Sequence, residues 1–175
     1  SRPSSVTAST PLWVATTPGI DPAGRMDRPL LEALPDLLSD ELALTSVLGR
    51  RSAALVVPEP ARAIVLAAVA RRSGRRPLLT VVPTGSEAER LAADLGHYLG
   101  PDEVELFPAW ETLPFERLSP GIETMGHRMR ILNRLTEPSG RPAVVVVSGR
   151  ALVQRLTSAA GEVRPFLLGP GDIVD

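Results

Sequence analysis

Nineteen basic residues are spread over this 175-residue chain, and every one of them is arginine. The missing residue type decides more than any motif. A phosphate-binding P-loop places a lysine after its glycines as a compact cation for the β- and γ-phosphates, and Schiff-base chemistry needs a lysine amine. Neither can be carried by these residues. Cysteine is absent as well, which removes disulfides, thiol nucleophiles and thiolate metal sites. His97 and His127 stand far apart without a ligand pattern around them, so no zinc-type spacing exists. Ser148-Gly149-Arg150 lacks the GxSxG frame of a nucleophile elbow and reads as a helix cap.

Two segments could still serve a ligand. The turn Val57-Pro58-Glu59-Pro60-Ala61-Arg62 joins an apolar run to a helical stretch, the position where an α/β domain holds phosphate. Here Pro58 and Pro60 remove amide donors, no glycine lets the backbone wrap an anion, and Glu59 puts a negative charge where phosphate would sit. The turn Pro58, Glu59, Pro60, Ala61 and Arg62 reads as a plain helix start. Asp102-Glu103-Val104-Glu105 has the look of a magnesium-holding acidic pair, but it precedes its strand and is expected to be a solvated turn. Arg71, Arg72, Arg75 and Arg76 crowd around Gly74. They are expected to complement a helix C-terminus in preference to forming a phosphate patch.

The elements that position these residues follow from periodicity. Leu30 to Leu48 has a helical pattern that Pro35 is expected to split. Strands are expected at Ala53–Val57, Leu78–Val82, Val104–Phe107 and Ala143–Val147. Helices are expected over Pro60–Arg72, with Ile64, Val65, Ala68 and Val69 on one side, over the stretch after Thr84-Gly85-Ser86-Glu87, a capping box, and over Ile122–Leu135. The alternation predicts an α/β fold, a mostly parallel sheet with helices on both faces. Net charge is −1 and no apolar run reaches the roughly 18 residues of a membrane span, so neither a global field for nucleic acid nor a spanning helix is expected. A reducing, cytoplasmic setting and a monomer fit this composition.

The segment from Leu106 to Pro120 is the most distinctive. It holds Phe107, Phe115 and Trp110 beside Pro108, Pro114 and Pro120, and it is expected to be a structured Ω-like loop packed by its own aromatics. The run Trp110-Glu111-Thr112-Leu113-Pro114 followed by Ser119-Pro120 closely resembles a signature of the transcription-repair coupling factors, the Mfd family. Arg128 in the helix that follows and the valine-rich strand leading into Ser148-Gly149-Arg150-Ala151-Leu152 match as well, and the resemblance covers roughly residues 42 to 168. It implies a degenerate P-loop, RecA-like domain similar to the first domain of UvrB. The organisation implied is a disordered extension over 1–26, a helical segment over 27–48, the UvrB-like domain over 49–160 and the start of a following, UvrA-contacting domain over 161–175. The family displaces stalled RNA polymerase from damaged DNA using ATP and recruits UvrA for excision repair. By resemblance, ATP and magnesium belong to motor domains outside these residues, and UvrA, RNA polymerase and DNA are partners of the parent protein. UvrB inserts a DNA-clamping hairpin near the region matching Trp110 to Pro120. The loop here is short, so no strand separation is expected. No catalytic, cofactor-binding or metal residue is expected in this chain. The readings set against this one are an active UvrB-like ATPase, which the missing lysine opposes, and an unrelated α/β interaction domain.

Residues 1–26 carry too little apolar surface to offset their ordering entropy. Deleting them is expected to leave the melting temperature within about 2 °C of the intact chain, since 1 kcal/mol corresponds to roughly 2–8 °C in domains of this size range. A loss of several degrees in a thermal melt would show that Trp13 docks on the core.

Overall fold

The computed structural model describes residues 30–111 and 121–156. Two short helices lead, α1 (Leu30–Leu37) and α2 (Leu42–Val47). A 3₁₀ turn at Glu59–Ala61 opens α3 (Arg62–Ser73). There follow β1 (Leu78–Val82), α4 (Gly85–Leu99), β2 (Val104–Phe107), α5 (Ile122–Thr136), β3 (Val144–Ser148) and α6 (Gly149–Val153). The three strands form one parallel sheet in the order β1-β3-β2. The class is α/β.

β3 lies in the middle, with Val144 opposite both Leu78 and Val104. All five of its residues are buried, as a strand covered on both faces requires. Alternation along the strands separates those faces. Leu78, Val82, Val104, Leu106, Val144 and Val146 pack into one core with α3 and α4. Glu105 points the other way, to Arg130 and Arg134 of α5. Helices therefore cover both sides.

The local signals hold where they are short-range. Thr84 Oγ1 accepts from the Glu87 amide at 3.2 Å while the Thr84 amide donates to Glu87 Oε2 at 3.3 Å, the expected capping box. Ser148 caps α6 by accepting from the Ala151 amide. Gly74 ends α3 in the left-handed region at φ 63°, which a residue without a Cβ adopts at no steric cost.

Four expectations need correction. Ala53–Val57 is not a strand; it lies outside the sheet because no strand edge pairs with it. Pro35 does not divide the first helices but sits buried inside α1, and the break comes at 38–41. There the Leu38 amide bonds the Pro35 carbonyl and the Ser39 amide that of Asp36, so the chain tightens into turns after the proline. The buried positions of α3 are Ala63, Ala67, Ala68 and Ala70; Ala68 is as expected, whereas Ile64, Val65 and Val69 are only partly buried. Small side chains let α3 and α4 approach closely and leave those valines on the flank. Glu105 is no part of a solvated turn: it is buried in β2, because Arg130 and Arg134, one turn apart on α5, replace its water.

Candidate functional site

The turn after Val57 is the position singled out for phosphate from the sequence, and its Glu59 side chain is paired. Pro58 accepts the Ala61 amide at 2.9 Å, which fixes Glu59–Ala61 as a 3₁₀ turn before α3. Glu59 Oε1 meets Arg90 Nη2 of α4 at 3.0 Å. Both side chains are well exposed, so the pair contributes little stability. A cavity of about 250 Å³ remains, lined by Glu59, Arg62, Glu87, Arg90 and Asp94 among others. Three carboxylates there face two guanidiniums. The N-terminus of α4 opens toward the same cavity, where Thr84 Oγ1 accepts from the Glu87 amide and the Glu87 carboxylate accepts from the Thr84 amide.

The second place is the junction around Trp110. Arg128 of α5 is only 1% exposed. Its guanidinium carbon stands 4.3 Å from the ring centroids of both Phe107 and Trp110. A cation between two ring faces is attracted by both quadrupoles. Nη1 donates to the Pro108 carbonyl at 2.6 Å, whereas Nε and Nη2 have no partner among the described residues. Burial pulls the guanidinium pKa below its ordinary value. Trp110 itself is half-buried and held by its backbone: its amide donates to Gln154 Oε1 at 2.7 Å and its carbonyl accepts from Gln154 Nε2 at 3.3 Å.

Glu111 joins the two ends of the intervening segment. It accepts from Thr124 Oγ1 and, at 3.3 Å, from the Gly121 amide. Gly121 is the N-cap of α5 and has no side chain to cap with. Glu111 supplies the missing acceptor from across the loop, where a negative charge also suits the helix dipole. These hydrogen bonds, Thr124 first, hold its carboxyl below the usual carboxylate range. The Glu111 carbonyl accepts from Arg150 of α6 at 3.3 Å. Leu113, Pro114, Phe115, Ser119 and Pro120 lie outside the described residues, and with them the interior of the expected Ω-like loop. Sequence reasoning missed Gln154 and Glu105. A polar residue just after a cap-initiated helix was the one available signal for the first, and arginines at an i, i+4 spacing on α5 the signal for the second. His127 sits 3.8 Å from Glu105. Among the described residues no group of three His, Cys, Asp or Glu is placed to hold a metal.

A three-stranded parallel sheet with helices on both faces defines the class, an α/β domain. No family model matches the chain. The transcription-repair-coupling factors of Mycobacterium bovis and Mycobacterium tuberculosis are each 47% identical to it over 123 residues, 67% of this chain and 10% of the relative. The chain is a region related to the transcription-repair-coupling factors. It spans about a tenth of the length of the curated relatives it matches.

Two predictions follow from this geometry. Trp110→Ala is expected to lower stability by about 2 kcal/mol, less than a fully buried tryptophan costs. Combined with Arg128→Met it should show a coupling on the order of 1 kcal/mol in a urea double-mutant cycle, because the two share one stack. Strict additivity would mean that the stack contributes nothing. For Glu111 the folded-state pKa lies below the unfolded one, so its contribution is present above an unfolded pKa of about 4.3 and is lost as pH falls through the lower folded value. Glu111→Gln is therefore expected to reduce the melting temperature at pH 7 and to approach the parent near pH 3. An equal deficit at both pH values would assign the effect to something other than the carboxylate charge.

Proposed function

We propose that this chain is a non-catalytic module of a transcription-repair coupling factor. The parent protein, on this reading, displaces stalled RNA polymerase from damaged DNA using ATP and recruits UvrA for nucleotide excision repair. The chain itself is a degenerate, RecA-like domain similar to the first domain of UvrB. ATP and magnesium act in motor domains elsewhere in the parent, DNA and polymerase are engaged there, and the setting is the cytoplasm. No helix of the described residues is long and apolar enough to cross a membrane.

The observation that carries the non-catalytic part is the turn at Pro58–Arg62. Two prolines remove donors, the Glu59–Arg90 pair stands in the phosphate position, and no lysine exists to replace it. A phosphate oxygen brought about 4 Å from a carboxylate is repelled by about 4 kcal/mol at an effective dielectric near 20, and the cavity presents Glu59, Glu87 and Asp94. Arg62 and Arg90 offset part of this, but without a glycine-rich backbone cradle nothing positions the β- and γ-phosphates. The competing reading, an active UvrB-like ATPase, has no observation in its favour here.

Calorimetric titration of the 175-residue chain with ATP and magnesium is expected to give no saturable heat up to millimolar nucleotide. Micromolar binding that disappears on Arg62→Ala would overturn the non-catalytic reading.

A further inference from the structure

Arg130 has two hydrogen-bonding neighbours among the described residues, and a single nitrogen meets both. Its Nη2 donates to Glu105 Oε2 at 3.1 Å and lies 2.9 Å from Nε2 of His127. A guanidinium donates and never accepts, so the imidazole nitrogen is the acceptor. His127 is therefore neutral in this arrangement, with its proton on Nδ1. The same Nε2 stands 3.8 Å from Glu105 Oε2, just beyond hydrogen-bonding distance. One carboxylate oxygen thus has two nitrogen neighbours, and only the guanidinium bonds it.

The two arginines on this carboxylate are not held alike. Arg134 bonds Glu105 Oε1 and is fastened twice more, to the Gly140 and Asp102 carbonyls. Arg130 has no such further anchor, and its side chain is 61% exposed. Glu105 is buried. A pocket of about 390 Å³ opens over the cluster, lined by Asp102, His127, Arg130 and Arg134 among others, and leaves space for a side chain to move. The charged groups that face His127 are Arg130 and Arg134 of α5, Glu105 of β2, Asp102 of the 3₁₀ turn Pro101–Glu103 and Glu123, one turn earlier on α5. From α4 the pocket is lined by Ala92, which carries no charge.

We infer that His127 and Arg130 exchange places on Glu105 when His127 takes up a proton. A proton on Nε2 removes the lone pair that Arg130 used and sets two cations against each other. The new Nε2–H needs a shift of about 1 Å to reach the length of a charge-assisted bond to Glu105. Arg130 then swings out to solvent, where its exposed charge loses little. The buried carboxylate keeps two cationic partners in both states and is never left undercompensated. What changes is the cation presented at the surface: a neutral imidazole bridged to Arg130 on the alkaline side, a free guanidinium on the acid side. Histidine is the side chain whose ordinary charge change falls between about pH 5 and 8.

Nuclear magnetic resonance of the 175-residue chain, titrated over roughly that range, tests the exchange. A guanidinium held by hydrogen bonds rotates slowly and shows separate Nη signals, whereas a free one shows a single averaged signal. The Arg130 Nη signals are expected to be separate on the alkaline side and to merge as the His127 ring takes up its proton. Those of Arg134 should stay separate, and the Glu105 carboxyl carbon should keep its carboxylate shift. In His127→Gln, whose amide does not titrate, Arg130 should behave alike at both ends of the range. Arg130 signals that ignore the His127 titration would overturn the inference. So would merging at the same pH in His127→Gln, or a Glu105 carboxyl that is protonated in the same step.

Discussion

Everything in this domain hangs on β3. Four consecutive valines and Ser148 lie between two parallel neighbours with helices above and below, so no polar backbone group of the strand can turn to water. Ala143 starts the ladder on both sides at once: its amide donates to Glu103 and its carbonyl accepts from Leu78, each at 2.8 Å. β-Branched side chains suit such a position because they pack well on a pleated surface and lose little freedom there. Since β1 and β2 touch β3 and not each other, the register of the whole sheet is set by that one strand.

The same constraint explains what could be read from the residues and what could not. The valine run, the capping box at Thr84 and Glu87, the Ser148 cap and the period of α4 and α5 are local, and each corresponds to an element within a residue or so. The strand at Ala53–Val57 failed for a non-local reason: strand composition states that a segment can pair, and only tertiary structure decides whether a partner is present. The alanine stripe of α3 escaped for a related reason. Periodicity favoured the larger residues, whereas close helix packing selected the small ones. Of the site, Trp110, Glu111 and Arg128 were singled out by resemblance, but their bonding was invisible, because Gln154 lies 44 residues from Trp110 and the Arg128 acceptor on Pro108 lies 20 residues away.

Buried charge is handled in two different ways on the same helix. Glu105 has two arginines, Arg130 at 3.1 Å and Arg134 at 2.5 Å, and Arg134 also bonds the Gly140 and Asp102 carbonyls. That carboxylate exchanges its water for charge-assisted hydrogen bonds, and breaking the cluster by removing one arginine would leave a buried charge undercompensated. Arg128 has no carboxylate partner among the described residues. Its charge is met by two aromatic faces and one carbonyl, and two of its nitrogens are unmet. Stacking supplies on the order of 1–2 kcal/mol when desolvated, while an unsatisfied buried donor costs about 1–3 kcal/mol. The consequence of the arrangement is geometric: a planar guanidinium fixes where Phe107 and Trp110 can lie.

That geometric role reaches further than the stack. Gln154 holds the Trp110 backbone from the end of α6, and Glu111, the next residue, caps α5 through Gly121 and Thr124. Arg150 of α6 bonds the Glu111 carbonyl. Two successive residues after β2 therefore tie three elements together, α5, α6 and the strand end, and they bring positions 111 and 121 side by side. Closing the nine residues between them costs little more entropy than closing a shorter stretch, because closure depends only weakly on loop length. What the described residues fix at this end of the sheet is the base of that segment. Trp110, Glu111 and Arg128 thus form one hydrogen-bonded and stacked junction between the end of β2, α5 and the end of α6.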